Sequence, residues 1–179
     1  MHNHQAPKIS VFGCGNVLLG DDGFGPAVIA DLKDRYVFPW NVILEDAGTG
    51  IREYLLDYLL APDLAPDMLI ILDAVHFHGR RSGEVFVINP DSIPAKKIHD
   101  FSLHQFPTVN LLKELSEFTG TKIHIVAAQI EYIPDEIRPG LSQAMQQAVR
   151  DAGEKVRSLI KEITSENCRV IMPFSTDSR

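Results

Sequence analysis

The chain has 179 residues, 45% of them hydrophobic and 23% charged, the size and balance of one globular domain with a sizeable core. A net charge of −7 without any long basic run makes nucleic acid and anionic membrane surfaces poor partners. Two cysteines, Cys14 and Cys168, imply no disulfide framework and fit a reducing, cytoplasmic setting, and no apolar run reaches the roughly 18 residues of a membrane span.

The opening residues, MHNHQAPK, contain no apolar signal-peptide core. Residues 1–7 read as a flexible polar tail, in which His2 and His4 are more naturally tail residues than metal ligands. Residues 8–12 read as a first strand, nearly all apolar at its end, as expected of a strand covered on both faces. A glycine loop follows in VFGCGNVLLGDDGFGP, with glycines at 13, 15, 20, 23 and 25 and two carboxylates, Asp21 and Asp22. Residues 26–36 (PAVIADLKDRY) form a first helix with Pro26 in its first turn. Residues 42–45 are a second strand, 47–50 (AGTG) a turn, and 51–60 (IREYLLDYLL) a helix by apolar spacing, broken by Pro62 and Pro66. Residues 68–72 are a third, continuously apolar strand that ends at Asp73.

In the second half, 83–88 (GEVFVI) alternates like an edge strand, and 90–103 reads mostly as loop. A helix covers 104–118, with Pro107 placing its true start near Phe106. Residues 122–129 (KIHIVAAQ) are the last strand, 130–140 a loop, and 141–163 a long amphipathic helix with Ser142 as its cap. Residues 164–179 read as a loose polar tail. One α/β domain over 8–163 follows, three layers deep, with a mainly parallel sheet of about five strands and helices on both faces. In such sheets ligands sit beyond the carboxyl ends of the strands, which selects the loops at 13–24, 46–50 and 73–82.

The residues that fill those loops decide the chemistry. A phosphate cradle needs backbone N–H groups and a cation, whereas the first loop offers two negative charges, which suits a metal cation better. Asp22 and Asp73 follow apolar strands that should be near neighbours. A single Asp there is as readily a cap. Two at one edge repel unless a proton or cation lies between them, and each is costly to desolvate alone. His104, which alone would read as a capping histidine, completes an Asp/Asp/His set with open positions, suited to zinc or nickel. His76 and His78 in DAVHFHG could compete as ligands but fit a polar loop lip. Cys14 lies in the site loop, yet small buried cysteines are common. His99 and His124 have no identifiable partner. Neither G-x-S-x-G nor H-E-x-x-H occurs.

Taken together these residues resemble the hydrogenase maturation endopeptidases, which remove a C-terminal extension from the large subunit of nickel–iron hydrogenases after nickel insertion. The resemblance covers roughly residues 8–160. Its anchor is GCGNVLLGDDGFGP, similar to the family's opening G-x-G-N-x-L-x-x-D-[DE]-G-x-G. EDAGTG, LIILDAV, SLHQ and QIEYIPDEIRPGLS come next, in the family's order. The resemblance implies Asp22, Asp73 and His104 as metal ligands and catalytic residues, and the turn containing Asp46, Gly48 and Thr49 as the substrate-recognition element. It implies nickel presented by the substrate as the ion, with zinc, cadmium or another divalent ion able to take the same ligands. The partner implied is the nickel-loaded large-subunit precursor; the acidic, tail-flanked chain itself gives no clear dimer surface and reads as a monomer. Two departures stand out: Asp22 replaces a frequent Glu, and the turn reads Asp-Ala-Gly-Thr rather than Asp-Gly-Gly-Thr. GDDGFGP and DAVHFHG look most like the branch serving coenzyme F420-reducing hydrogenases. The rival readings are a non-cleaving metal-binding chaperone for the same precursor, and a nucleotide-binding α/β domain.

Overall fold

The computed structural model describes residues 6–90, 108–164 and 169–170. Five strands form one sheet in the order β3-β1-β4-β6-β5. They are β1 (Ile9–Cys14), β3 (Val42–Gly48), β4 (Met68–Val75), β5 (Val85–Ile88) and β6 (Lys122–Gln129). β3, β1, β4 and β6 run parallel, and only the edge strand β5 runs antiparallel, against β6. This is the expected mainly parallel sheet. The strands outlast their sequence-based ends: β1 runs on to Cys14, β3 to Gly48 and β4 to Val75. Asp73 therefore lies within a strand and not just beyond one.

The helices are α1 (Phe24–Arg35), α2 (Ile51–Leu60), α3 (Thr108–Thr119) and α4 (Gln143–Ile163). Every residue of β4 (MLIILDAV) is buried, because its alternate side chains meet two different layers. Met68, Ile70, Leu72 and Ala74 pack with Val28, Ile29 and Leu32 of α1 and with Ala148, Ala152 and Val156 of α4. Leu69, Ile71 and Val75 pack on the other face with Leu55 of α2 and with Leu112 and Leu115 of α3. Among the described residues no helix is long and apolar enough to cross a membrane.

A small ribbon was not legible in the sequence. β2 (Tyr36–Val37) pairs antiparallel with β7 (Arg169–Val170). Tyr36 thus leaves the first helix for a strand, and residues 169–170 leave the segment read as a loose tail. Two-residue strands have no period to recognise. Thr164, read as the first tail residue, closes α4, its N–H and hydroxyl both reaching the Ile160 carbonyl at 2.9 Å. Residues 1–5 with His2 and His4, the 91–107 stretch with His99 and the start of the third helix, and Cys168 lie outside the described residues.

β1 lies between β3 and β4. The chain leaves β1 toward one side of the sheet and later returns to its other side. Such a reversal opens a crevice at the carboxyl ends of β1 and β4. Gly25 lets α1 close onto the ends of those two strands. A side chain there would run into the backbone of Cys14 and the Leu72 carbonyl, which belong to the two central strands and have nowhere to move. Gly25→Ala is expected to cost roughly 3 kcal/mol, read as a lower urea midpoint with the denaturant slope unchanged.

Candidate functional site

The crevice is built from three strand ends. β1 pairs with β4 through Gly13 opposite Leu72, so the loop after β1 emerges beside Asp73. Gly15 has φ +125°, and a side chain on it would strike the Asp22 carbonyl. The N–H of Gly15 donates to the Gly48 carbonyl at 2.9 Å, which ties the loop after β1 to the last residue of β3. Asn16 shapes the next turn of the loop: its Oδ1 accepts the N–H of Leu18 at 3.0 Å and its carbonyl accepts that of Leu19 at 3.0 Å. The N–H of Asn16 in turn donates to Asp22 Oδ2 at 2.7 Å. A 3-10 turn over Gly20–Gly23 brings the chain into α1.

Asp21 and Asp22 are adjacent and both buried, yet they do different work. Asp21 accepts four hydrogen bonds from the segment that leads into α4. Glu131 N (2.9 Å), Tyr132 N (3.2 Å) and the Ser142 hydroxyl (3.0 Å) donate to its Oδ2, and Ser142 N donates to its Oδ1 at 2.7 Å. The Ser142 hydroxyl also accepts Met145 N at 3.4 Å, so the cap of α4 hangs from Asp21. The sequence pattern counted both acids toward a cation; the charge of Asp21 is already met by protein donors.

Asp22 and Asp73 are the pair that the crevice brings together. Asp73 is 7% exposed. Burial first, and the Asp22 charge second, push its carboxyl up to about 8, while the Ala74 N–H pulls the other way. At neutral pH Asp73 thus keeps its proton beside the Asp22 charge, as like charges in one buried place require. Cys14 alternates onto the same sheet face and is buried. Burial and then the charges of Asp73, Asp46 and Asp22 raise its thiol well above the usual range. It is a neutral packing residue and a poor nucleophile, since the thiolate is the reactive form.

Asp46–Thr49, expected as a turn, is the end of β3 and the residue after it, and forms the opposite lip. Asp46 and Thr49 are exposed, and Asp46 Oδ1 accepts Gly48 N at 3.0 Å. Gly48 has φ +51°, which its lack of a Cβ makes comfortable. His76 and His78 are exposed beyond β4 with ring centroids 5.4 Å apart, a polar lip as expected. Gln129 holds that lip, its Oε1 accepting Phe77 N at 2.8 Å. His124 is half-buried on the sheet, and burial lowers its pKa. His104 lies outside the described residues, and among those described no group of three His, Cys, Asp or Glu residues could hold a metal ion.

Sequence reasoning missed three contributors: the separate task of Asp21, the brace from Gln129, and Arg138. The last pairs by its backbone with the site loop, its N–H donating to the Leu18 carbonyl at 2.8 Å and its carbonyl accepting Gly20 N at 2.9 Å. Gln129 left a trace, as a polar residue closing an apolar strand. The other two left none.

A three-layer α/β protein with an acidic crevice at the switch point of its sheet is the class that these features define. The family model described as hydrogenase maturation protease matches residues 26–159. A putative hydrogenase maturation protease of Methanocaldococcus jannaschii is 34% identical over 155 residues, covering 86% of this chain and 97% of that protein. The coenzyme F420 hydrogenase subunit delta of Methanothermobacter thermautotrophicus is 32% identical over 163 residues, covering 87% and 94%. The solved structure of the hydrogenase maturating endopeptidase HybD from Escherichia coli superposes with a TM-score of 0.74 at 29% identity, covering 96% and 99%. The chain belongs to the hydrogenase maturation protease family, and it is a protease. That outcome leaves the nucleotide-binding and non-cleaving readings without support.

Proposed function

We propose that this protease removes the C-terminal extension of a nickel–iron hydrogenase large-subunit precursor after nickel has been inserted. The observation that carries the reading is the buried Asp22–Asp73 pair at the switch point, two coupled carboxyls in a protein of this family. Nickel arrives with the substrate. Asp22, Asp73 and His104 engage it, and in doing so they test whether the precursor is loaded. The Asp46–Gly48–Thr49 lip receives the tail chain beside the cut. A cation held there would polarise the scissile carbonyl, and one of the two carboxylates would take the proton of the attacking water. The protein works as a cytoplasmic monomer. The likeness of GDDGFGP and DAVHFHG to the F420-reducing branch puts the large subunit of such a hydrogenase first among substrates.

The experiment mixes the protein with nickel-loaded and with nickel-free precursor and follows intact mass. Loss of the tail mass from the loaded precursor alone is the expected result. Equal cleavage of both, or cleavage that persists when Asp22, Asp73 and His104 are all replaced by Ala, would refute the metal-reading role.

A further inference from the structure

Two loops that border the acidic crevice present apolar side chains to solvent in one place. Val17 is 52% exposed and Leu18 44%, at the tip of the loop that carries Asp22. Ile137 is 73% exposed and Tyr132 41%, on the segment that Asp21 holds down. The two tips are joined as a short parallel bridge at Leu19 and Arg138, through the Arg138 N to Leu18 O and Gly20 N to Arg138 O bonds. Backbone groups at the junction are thereby spent on each other, and the tips offer side chains rather than an open strand edge. Single exposed apolar residues are ordinary; four of them on two bridged loops beside a reactive crevice form a patch with a purpose. Residues 132–138 also line an open groove of about 660 Å³.

We propose that these bridged tips are the docking face for the folded body of the large-subunit precursor, and that they take an apolar surface segment ringed by basic side chains. The inference rests on the protease reading above and adds where the substrate body sits. Continuity with the crevice names the occupant. Asn16 N bonds Asp22 at 2.7 Å, so Val17 and Leu18 begin one residue from the group that would meet the metal. A substrate whose metal reaches Asp22 must lie against them. Charge names its chemistry. Glu131, Asp135 and Glu136 are exposed around the apolar tips, with Arg138 as the lone base in that segment.

The test uses the full-length protein and the Leu18→Asp/Ile137→Asp double variant on metal-loaded precursor. Both positions are exposed, so the thermal melt should match wild type. KM for precursor is expected to rise at least tenfold with kcat within twofold, and Asp135→Lys/Glu136→Lys is expected to raise KM similarly while flattening its salt dependence. An unchanged KM in the double variant would overturn the proposal. So would a wild-type dimer in sedimentation that the double variant dissolves without a change in KM, since the patch would then join two copies. Should wild type bind the precursor without cutting it, the processing reading fails on its own. The docking face is then judged by binding: a tenfold weaker complex with the double variant supports it, and equal affinity sinks it.

Discussion

Asp73→Asn should abolish precursor processing and yet make the protein, free of metal, more stable at neutral pH. The folded Asp73 carboxyl is held up to about 8 by burial and by the neighbouring Asp22 charge, whereas the unfolded chain ionises near the ordinary value of about 4. Between those values the folded state keeps a proton that the unfolded state has released. Stability then falls as pH rises, by about 1.4 kcal/mol per unit. By pH 7 the accumulated cost is on the order of 4 kcal/mol, and an amide of the same shape avoids it. The variant should melt about 10 °C above wild type at pH 7, with a smaller gap at pH 5 and little gap near pH 4. Cleavage of nickel-loaded precursor should drop by roughly 100-fold or more, because a ligand charge worth several kcal/mol is gone. Melting curves across pH read the first effect and mass spectrometry the second. A variant that melts below wild type at pH 7 would mean that the buried carboxyl is not the strained group described here.

That tension between stability and use explains why the sheet was readable and the site only partly so. β4 could be found from sequence because eight consecutive buried positions leave an apolar run, and the single acid inside it stood out against that background. Asp22 stood out less, since Asp21 beside it has the same charge and lies between the same two glycines, Gly20 and Gly23. What separates them is the partner each finds, and the partners of Asp21 lie more than a hundred positions away at Glu131, Tyr132 and Ser142. Long-range polar contacts of this kind have no local period. The cap at Ser142 was legible because capping is local, although the acid on which the cap depends was not. The strand ends were placed too early for a related reason. Gly13 and Cys14 in β1 stay paired with Asp46 and Gly48 in β3, across a register shift that passes over Ala47, rather than obeying their own turn propensity.

Adjacent acids with opposite duties should also respond oppositely to the same change. Asp21→Asn puts an amide NH2 where a carboxylate oxygen accepted, so at least one of the four donors from Glu131, Tyr132 and Ser142 meets another donor. The remaining bonds lose their charge, each of them worth about 1.5–3 kcal/mol to a charged acceptor. A loss of about 3–4 kcal/mol results, or roughly 10 °C in melting temperature for a chain of this length. The amides of Glu131, Tyr132 and Ser142 should exchange with solvent much faster as the 130–142 loop comes off the site loop. Asp22→Asn keeps an acceptor for Asn16 N and removes the charge that weighs on Asp73, so it should hold or gain stability while losing processing. Since the two side chains are chain neighbours with the same starting charge, neither overall charge nor location can account for a difference between them. Equal melting temperatures for the two variants would mean that Asp21 does not carry the loop, and that the apolar tips it holds beside the crevice are positioned by something else.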